Sequence, residues 1–161
     1  MELKQYVSEN FSSKGALRSP AHITLHMPFE WKEEKEQQLI EKLQSFTFKQ
    51  PVAIELKNFS VFEPRVIFVD VVPDPLLTEL YRSLVTHVKQ NVNLLNEANN
   101  LRGFHPHVTI AFRDLKKPAF YQAWDHFKTQ TFTAGFTVNS FQLLKHSPGR
   151  WDVYKEFNFI S

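Results

Sequence analysis

The chain reads as an α+β fold built from two similar lobes. Two observations predict this. A four-residue pattern, His-apolar-Thr-apolar, is written twice, as His22-Ile23-Thr24-Leu25 and as His107-Val108-Thr109-Ile110. Around each copy the elements follow one order: strand, helix, strand, strand. With only seven His in the chain, chance supplies on the order of 0.1 copies of the pattern, so two copies argue for design. The period is too long for a solenoid and fits a duplicated lobe. Two such lobes face to face would enclose a cleft, each presenting one motif. Residues 1–161 are accordingly read as a single bilobal domain.

The elements follow from local pattern. Residues 3–15 are weakly amphipathic and read as a helix. Residues 21–27 read as a strand. Between Trp31 and Phe46 the charged text places Leu39, Ile40, Leu43 and Phe46 at helical spacing. Pro51 opens a strand through Val52–Phe62. Residues 65–72, Arg-Val-Ile-Phe-Val-Asp-Val-Val, form a nearly continuous apolar run suited to a buried strand. Asp74-Pro75 is an N-cap followed by proline at the first helical position, and it starts a helix over 75–91. Leu76, Leu77, Leu80, Tyr81, Leu84 and Val88 share one side of that helix. The Asn-rich text of 92–104 reads as a loop. A strand over 106–112 follows, then a helix near Pro118 carrying Phe120, Tyr121, Trp124 and Phe127. Two strands close the chain, 131–144 and 151–159, turning at Ser147-Pro148-Gly149-Arg150.

The duplication is uneven. The second motif is preceded by a strand and a helix, the first by a helix alone. By symmetry, the sheet of the first lobe is expected to lack its N-terminal strand and to leave an open edge.

Composition narrows the function classes. The chain has no Cys, which excludes disulfides, thiolate metal sites and a thiol nucleophile. No apolar run suits a signal peptide or a membrane span, so a cytoplasmic protein without membrane contact is expected. A net charge of +2 permits an anionic ligand but does not mark a nucleic-acid surface.

Alternate side chains of a strand share a face. His22 and Thr24 would point one way, with Ile23 and Leu25 in the core behind them. The same holds for His107 and Thr109 against Val108 and Ile110. Each lobe would then offer an imidazole and a hydroxyl about 7 Å apart. Two imidazoles can serve as general base and general acid near neutral pH. Two hydroxyls can donate to the non-bridging oxygens of a phosphate. In-line attack on a phosphodiester needs no further group, neither a metal nor a cofactor. The text of the two motifs does not say which His is the base.

The pair His22-Ile23-Thr24-Leu25 and His107-Val108-Thr109-Ile110 resembles the motifs of the 2H phosphoesterase superfamily. Pro28-Phe29 after the first motif and His105-Pro106-His107 at the second strengthen the likeness. This superfamily is also called the LigT-like or RNA 2′-5′ ligase-like family. The resemblance covers nearly the whole chain. It implies a LigT-like, pseudo-symmetric fold in which two antiparallel sheets flank a central cleft with helices outside. It also implies metal-independent chemistry on 2′,3′-cyclic phosphates or 2′-5′ linkages of RNA ends or small nucleotides. On this likeness the catalytic pair is His22 and His107, and the phosphate-binding hydroxyls are those of Thr24 and Thr109. Family members ordinarily carry a strand and a helix ahead of the first motif, and here only the helix is expected there.

Other residues are weighed beside these. His26 shares a face with His22 and Thr24 and could touch substrate. Arg113 keeps the parity of His107 and Thr109 at the strand exit and could hold a phosphate or base. Arg65 opens the apolar strand opposite Phe62 and could meet a nucleotide. His105 forms a His-x-His pair with His107, but no third metal ligand stands at a sensible spacing. His87, His126 and His146 read as structural. Phe62, Phe104 or Trp151 could stack a base. Two rivals to the enzyme remain: a non-catalytic module that binds nucleotides or RNA ends, and a metal-dependent hydrolase using His22, His26, His105 and His107.

Overall fold

The computed structural model describes residues 1–96 and 103–160. The part of the expected Asn-rich loop at 97–102 lies outside them. In chain order the elements are α1 (Glu2–Phe11), α2 (Glu36–Gln44), β1 (Val52–Phe62), β2 (Val66–Val71), α3 (Pro75–Val92), β3 (His107–Ala111), α4 (Lys117–Phe127), β4 (Thr133–Val138), β5 (Ser140–Ser147) and β6 (Arg150–Asn158). Short 3₁₀ turns stand at Gly15–Arg18 and Glu33–Lys35. All pairings are antiparallel. One sheet has the order β3-β2-β1-β4, and the second is the β5-β6 hairpin.

The local signals act where they were expected. The Asp74 carboxylate accepts from the Leu77 N–H at 2.8 Å, with Pro75 opening α3. Leu77, Leu80, Tyr81, Leu84, Val88 and Val92 of α3 are all buried. Such a side chain contributes about 1.5–3 kcal/mol relative to exposure, which sets α3 firmly on its neighbours. Asn93 ends the helix in the left-handed region, at φ 61°. β2 lies between β3 and β1, and its successive residues Ile67, Phe68 and Val69 are all buried, so both faces are covered there. Gly149 takes φ 81° in the turn between β5 and β6, where an L side chain would be strained.

Two elements differ from the sequence reading. Residues 21–27 join no ladder among the described residues. The apolar alternation is real, since Ile23 and Leu25 pack on the core, but no neighbouring strand pairs with the segment. The run 131–144 is two strands, not one. It breaks at Asn139, with β4 in the four-stranded sheet and β5 in the hairpin. The Asn139 carbonyl accepts from the Phe159 N–H at 2.9 Å, which ties the break to the chain's last turn. The strands therefore interleave. β1 and β2 of the first half sit between β3 and β4 of the second. Among the described residues the sheets number two, as expected, and the smaller has two strands against four.

Two apolar cores back the sheets. One gathers α2, α3 and β6 around Leu43, Leu84, Phe157 and Phe159. The other gathers α1, β2, β3 and α4 around Val7, Val69, Ile110, Phe120 and Phe127.

Asp114, just past β3, ties the segment after α1 to this second core. Its carboxylate accepts from Ser13 Oγ at 2.8 Å and from the N–H groups of Lys14 and Gly15 at 2.7 and 2.8 Å. Gly15 is needed for this approach, because a Cβ there would stand 2.6 Å from the Asp114 Oδ1. Burial pushes the Asp114 carboxyl up, but the hydrogen bonds from Ser13, Gly15 and Lys14 outweigh it and hold it below the usual carboxylate value.

Asp114→Ala is expected to lower unfolding stability by about 1 kcal/mol, less than a buried charged hydrogen bond because the carboxylate is exposed. A depressed carboxyl stabilises above its unfolded value and loses that contribution as pH falls through the folded value. The gap between wild type and variant in urea unfolding should therefore close below about pH 4. A gap that persists at pH 2.5 refutes this role.

Candidate active site

The four-stranded sheet presents one face to α1 and α4 and carries the second motif on the other. Residues opposed in an antiparallel pair point to the same side. Ser60 opposes Phe68, Phe68 opposes Thr109, and Asp70 opposes His107. Phe62 has the parity of Ser60. Ser60, Phe62, Phe68, Asp70, His107 and Thr109 thus share one face. Val69, Val108 and Ile110 turn to the core behind. The two rings of Phe62 and Phe68 wall in His107, with centroids 5.1 and 4.7 Å from its imidazole.

The His107 Nδ1–H donates to the carbonyl of His105 at 2.7 Å. The His22 Nδ1–H donates to the carbonyl of Pro20, also at 2.7 Å. In both motifs the acceptor is the carbonyl two residues back. A carbonyl can only accept, so Nδ1 carries the proton and Nε2 is left for chemistry. The duplication extends from residue type to a single hydrogen bond.

The pKa of His107 is lowered, most of all by burial, with the charges of His105 and then His22 adding to it. The bond to the His105 backbone and the charge of Asp70 act the other way but do not offset it, and His107 titrates below the usual imidazole value.

The two motifs are held by different means. His107 and Thr109 sit in a strand paired with β2. The segment from Pro20 to Met27 has side chains in place of a ladder. Asn96, buried, accepts from the Met27 N–H at 3.1 Å and donates to the Leu25 carbonyl at 3.3 Å. It thereby reaches both backbone groups that a neighbouring strand would otherwise pair. At the other end, the buried Lys4 binds the Pro20 carbonyl. Thr24 is exposed and Thr109 half-buried.

The remaining expected residues are placed as follows. His26 is partly buried against Phe29, with its Nδ1–H on the Met27 carbonyl at 2.8 Å and its Nε2 buried without a hydrogen-bond partner among the described residues. Arg65 is exposed in the turn before β2. Arg113 lies beyond β3, its guanidinium 5.4 Å from the Phe112 ring. A register shift in the β2–β3 pairing puts Ala111 opposite Ile67, in the core. Strand parity therefore no longer links Arg113 to His107. His105 pairs with Asp70 at 3.2 Å. Among the described residues no group of three or more His, Asp or Glu is placed to hold a metal ion. Phe104 stacks on Tyr81 with centroids 3.9 Å apart. Two surface hollows flanking Arg82 contain neither motif. No helix among the described residues is long and apolar enough to cross a membrane.

Sequence reasoning passed over Asp70, Asn96 and Lys4. Asp70 was visible as the one charge inside an apolar strand. The other two act on backbone groups, and their spacing carries no pattern.

The model of the 2′-5′ RNA ligase superfamily matches residues 2–150. The chain belongs to this superfamily. Among relatives, a protein of Geobacillus kaustophilus provisionally named a phosphoesterase is 31% identical over 142 residues, covering 86% of this chain and 78% of the relative. One from Oceanobacillus iheyensis, named likewise, is 30% identical over 142 residues, covering 86% and 79%. Among solved structures, E. coli LigT complexed with 3′-AMP matches with a TM-score of 0.64 at 18% identity, covering 99% of this chain and 92% of that one. A Thermus thermophilus protein matches with a TM-score of 0.62 at 19% identity, covering 98% and 92%. The α+β fold with two antiparallel sheets is the LigT-like fold of this 2′-5′ RNA ligase superfamily.

In an imidazole-resolved NMR titration, His107 should show a midpoint below about 6.5, the ordinary imidazole value. A midpoint above it would mean that burial does not govern this ring.

Proposed function

We propose that this member of the superfamily is a metal-independent phosphodiesterase of the 2H type. Its substrates are 2′,3′-cyclic phosphates or 2′-5′ linkages of RNA ends or small nucleotides, and no cofactor takes part. The observation that carries the reading is the matched Nδ1-to-carbonyl bond at His22 and His107. It leaves two Nε2 atoms as proton carriers, one per motif.

In the hydrolytic direction, His107 is the base. Its burial favours the neutral ring, so its Nε2 can take a proton from water as the water oxygen bonds to phosphorus. His22, protonated, gives its Nε2 proton to the ribose oxygen as the phosphorus–oxygen bond breaks. Both rings end in the opposite protonation state, and exchange with solvent resets them. In the ligase direction a ribose hydroxyl replaces water. Thr24 and Thr109 donate to the non-bridging oxygens, and no hydrogen bond among the described residues occupies either hydroxyl. LigT complexes with 3′-AMP and with ATP support a nucleotide as ligand. His26, Arg65 and Arg113 are candidates for contacts to the rest of the substrate. The whole chain acts as one cytoplasmic domain. A non-catalytic module that binds nucleotides is the second reading, favoured by the unpaired segment that carries His22.

His22→Ala and His107→Ala should each cut hydrolysis of a 2′,3′-cyclic nucleotide by about 10²–10⁴-fold. The double variant should lose less than the product, because the pair acts as one unit. Thr24→Val or Thr109→Val should remove at most a few kcal/mol of phosphate stabilisation. The acid limb of the rate should fall below about pH 6.5, since His107 must be neutral and its titration is depressed. EDTA should leave the rate unchanged. Full activity in His107→Ala would end the two-histidine mechanism. Tight nucleotide binding without turnover in the wild type would favour the binding module.

A further inference from the structure

Lys4 stands in α1 and is only 3% exposed. Its Nζ donates to the carbonyls of Ala16, Ser19 and Pro20, at 2.8, 3.0 and 3.1 Å. An ammonium has three N–H donors, and three carbonyls take them. Burying a charge is costly unless it is fully hydrogen-bonded. A Leu in this place would pack on the core without that cost. The position is therefore explained by the carbonyls it gathers, and one of them is the carbonyl that orients His22.

The Pro20 oxygen receives both Lys4 Nζ and His22 Nδ1–H, at 3.1 and 2.7 Å. A carbonyl has two lone pairs, so the two donors fit together. Proline has no N–H, which leaves this carbonyl as the residue's one backbone hydrogen-bonding group. The peptide plane after Pro20 belongs to no ladder, and Lys4 takes the part of a neighbouring strand. The second motif has no need of an ammonium, because the pairing of His107 with Asp70 fixes its backbone.

We propose that Lys4 is a positioning residue for His22. Through the Pro20 carbonyl it holds the imidazole in the Nδ1–H form with Nε2 facing the substrate. The proposal rests on the two-histidine reading for its effect on rate, but its structural part stands apart from it. Burial also pulls the Lys4 ammonium down to about 8, in keeping with a charge held inside by backbone groups alone.

The test compares wild type with Lys4→Met, which keeps the length of the stem and removes the donors. Long-range ¹⁵N–¹H correlation reads the tautomer of each imidazole, and 2′,3′-cyclic AMP is the substrate for kinetics. His22 should shift toward the Nε2–H form of a free imidazole while His107 keeps its signals. The kcat should fall by about ten- to a hundredfold, the scale of a misplaced catalytic group, with KM changed less than about threefold. The chain has no Cys, so Lys4→Cys offers a single thiol. Its alkylation with 2-bromoethylamine in denaturant, followed by refolding, rebuilds an ammonium of nearly the same reach and should restore both signals. If Lys4→Met does not fold, Lys4→Leu carries the same comparison, since it too lacks any donor and is compact enough to pack in a buried place.

An unchanged His22 tautomer in either variant overturns the proposal. So does an equal shift at His107, which would mean general loosening. A wild type inert toward 2′,3′-cyclic AMP removes the proposed reaction instead, and the ring nitrogens of His22 still decide the role of Lys4.

Discussion

One hydrogen bond, made twice, is the constraint on which the site depends. A neutral imidazole has one N–H and two positions for it. A backbone carbonyl at 2.7 Å from Nδ1 settles the position in His22 and in His107 alike. With Nδ1 committed, each ring offers only Nε2 as base when neutral and as acid when charged. The bond also removes most of the ring's rotational freedom, so orientation and tautomer are set together. Much of the structure around the two motifs can be read as the means of putting a carbonyl two residues before each His and keeping it there.

The means differ. At the second motif the sheet does the work: β3 pairs with β2, and Asp70 opposes His107 and pairs with the His105 ring. At the first motif no strand among the described residues flanks Pro20–Met27, and Asn96 and Lys4 bond the backbone from the sides. A ladder distributes its hold over many bonds, whereas a clamp concentrates it on two side chains. The first motif is therefore the more sensitive to single substitutions away from the chemistry. The interleaving of β1 and β2 between β3 and β4 adds a link, since the chain cannot separate its halves without opening the larger sheet. Asp114 adds another by binding the backbone of Lys14 and Gly15.

Most of the fold was legible because its signals are local. The N-cap at Asp74, the apolar run of β2 and the amphipathic face of α3 each act within a few residues of where they are written. The motif pair was legible because it repeats. The break at Asn139 was not, because β4 and β5 carry similar apolar text and only tertiary pairing assigns them to different sheets. The strand expected at 21–27 failed for a related reason: alternation shows that one face packs on the core, as the partly buried Ile23 and Leu25 do, but it does not supply a neighbour to pair with. The parity given to Arg113 failed at a register shift, which sequence alternation does not reveal. Lys4 and Asn96 were invisible for a simpler reason: they satisfy backbone atoms, and backbone atoms leave no trace in the sequence.

In the proposed reaction both histidines act on one phosphorus through Nε2. A crystal structure with a ribonucleoside and vanadate, which mimics the five-coordinate phosphorus of the transition state, tests it most directly. Vanadium should stand between the two imidazoles, with the Nε2 of His22 and of His107 each within hydrogen-bond reach of an apical oxygen and the hydroxyls of Thr24 and Thr109 on equatorial oxygens. Vanadate bound by one motif alone, or seated elsewhere on the surface in the hollows beside Arg82, would contradict it.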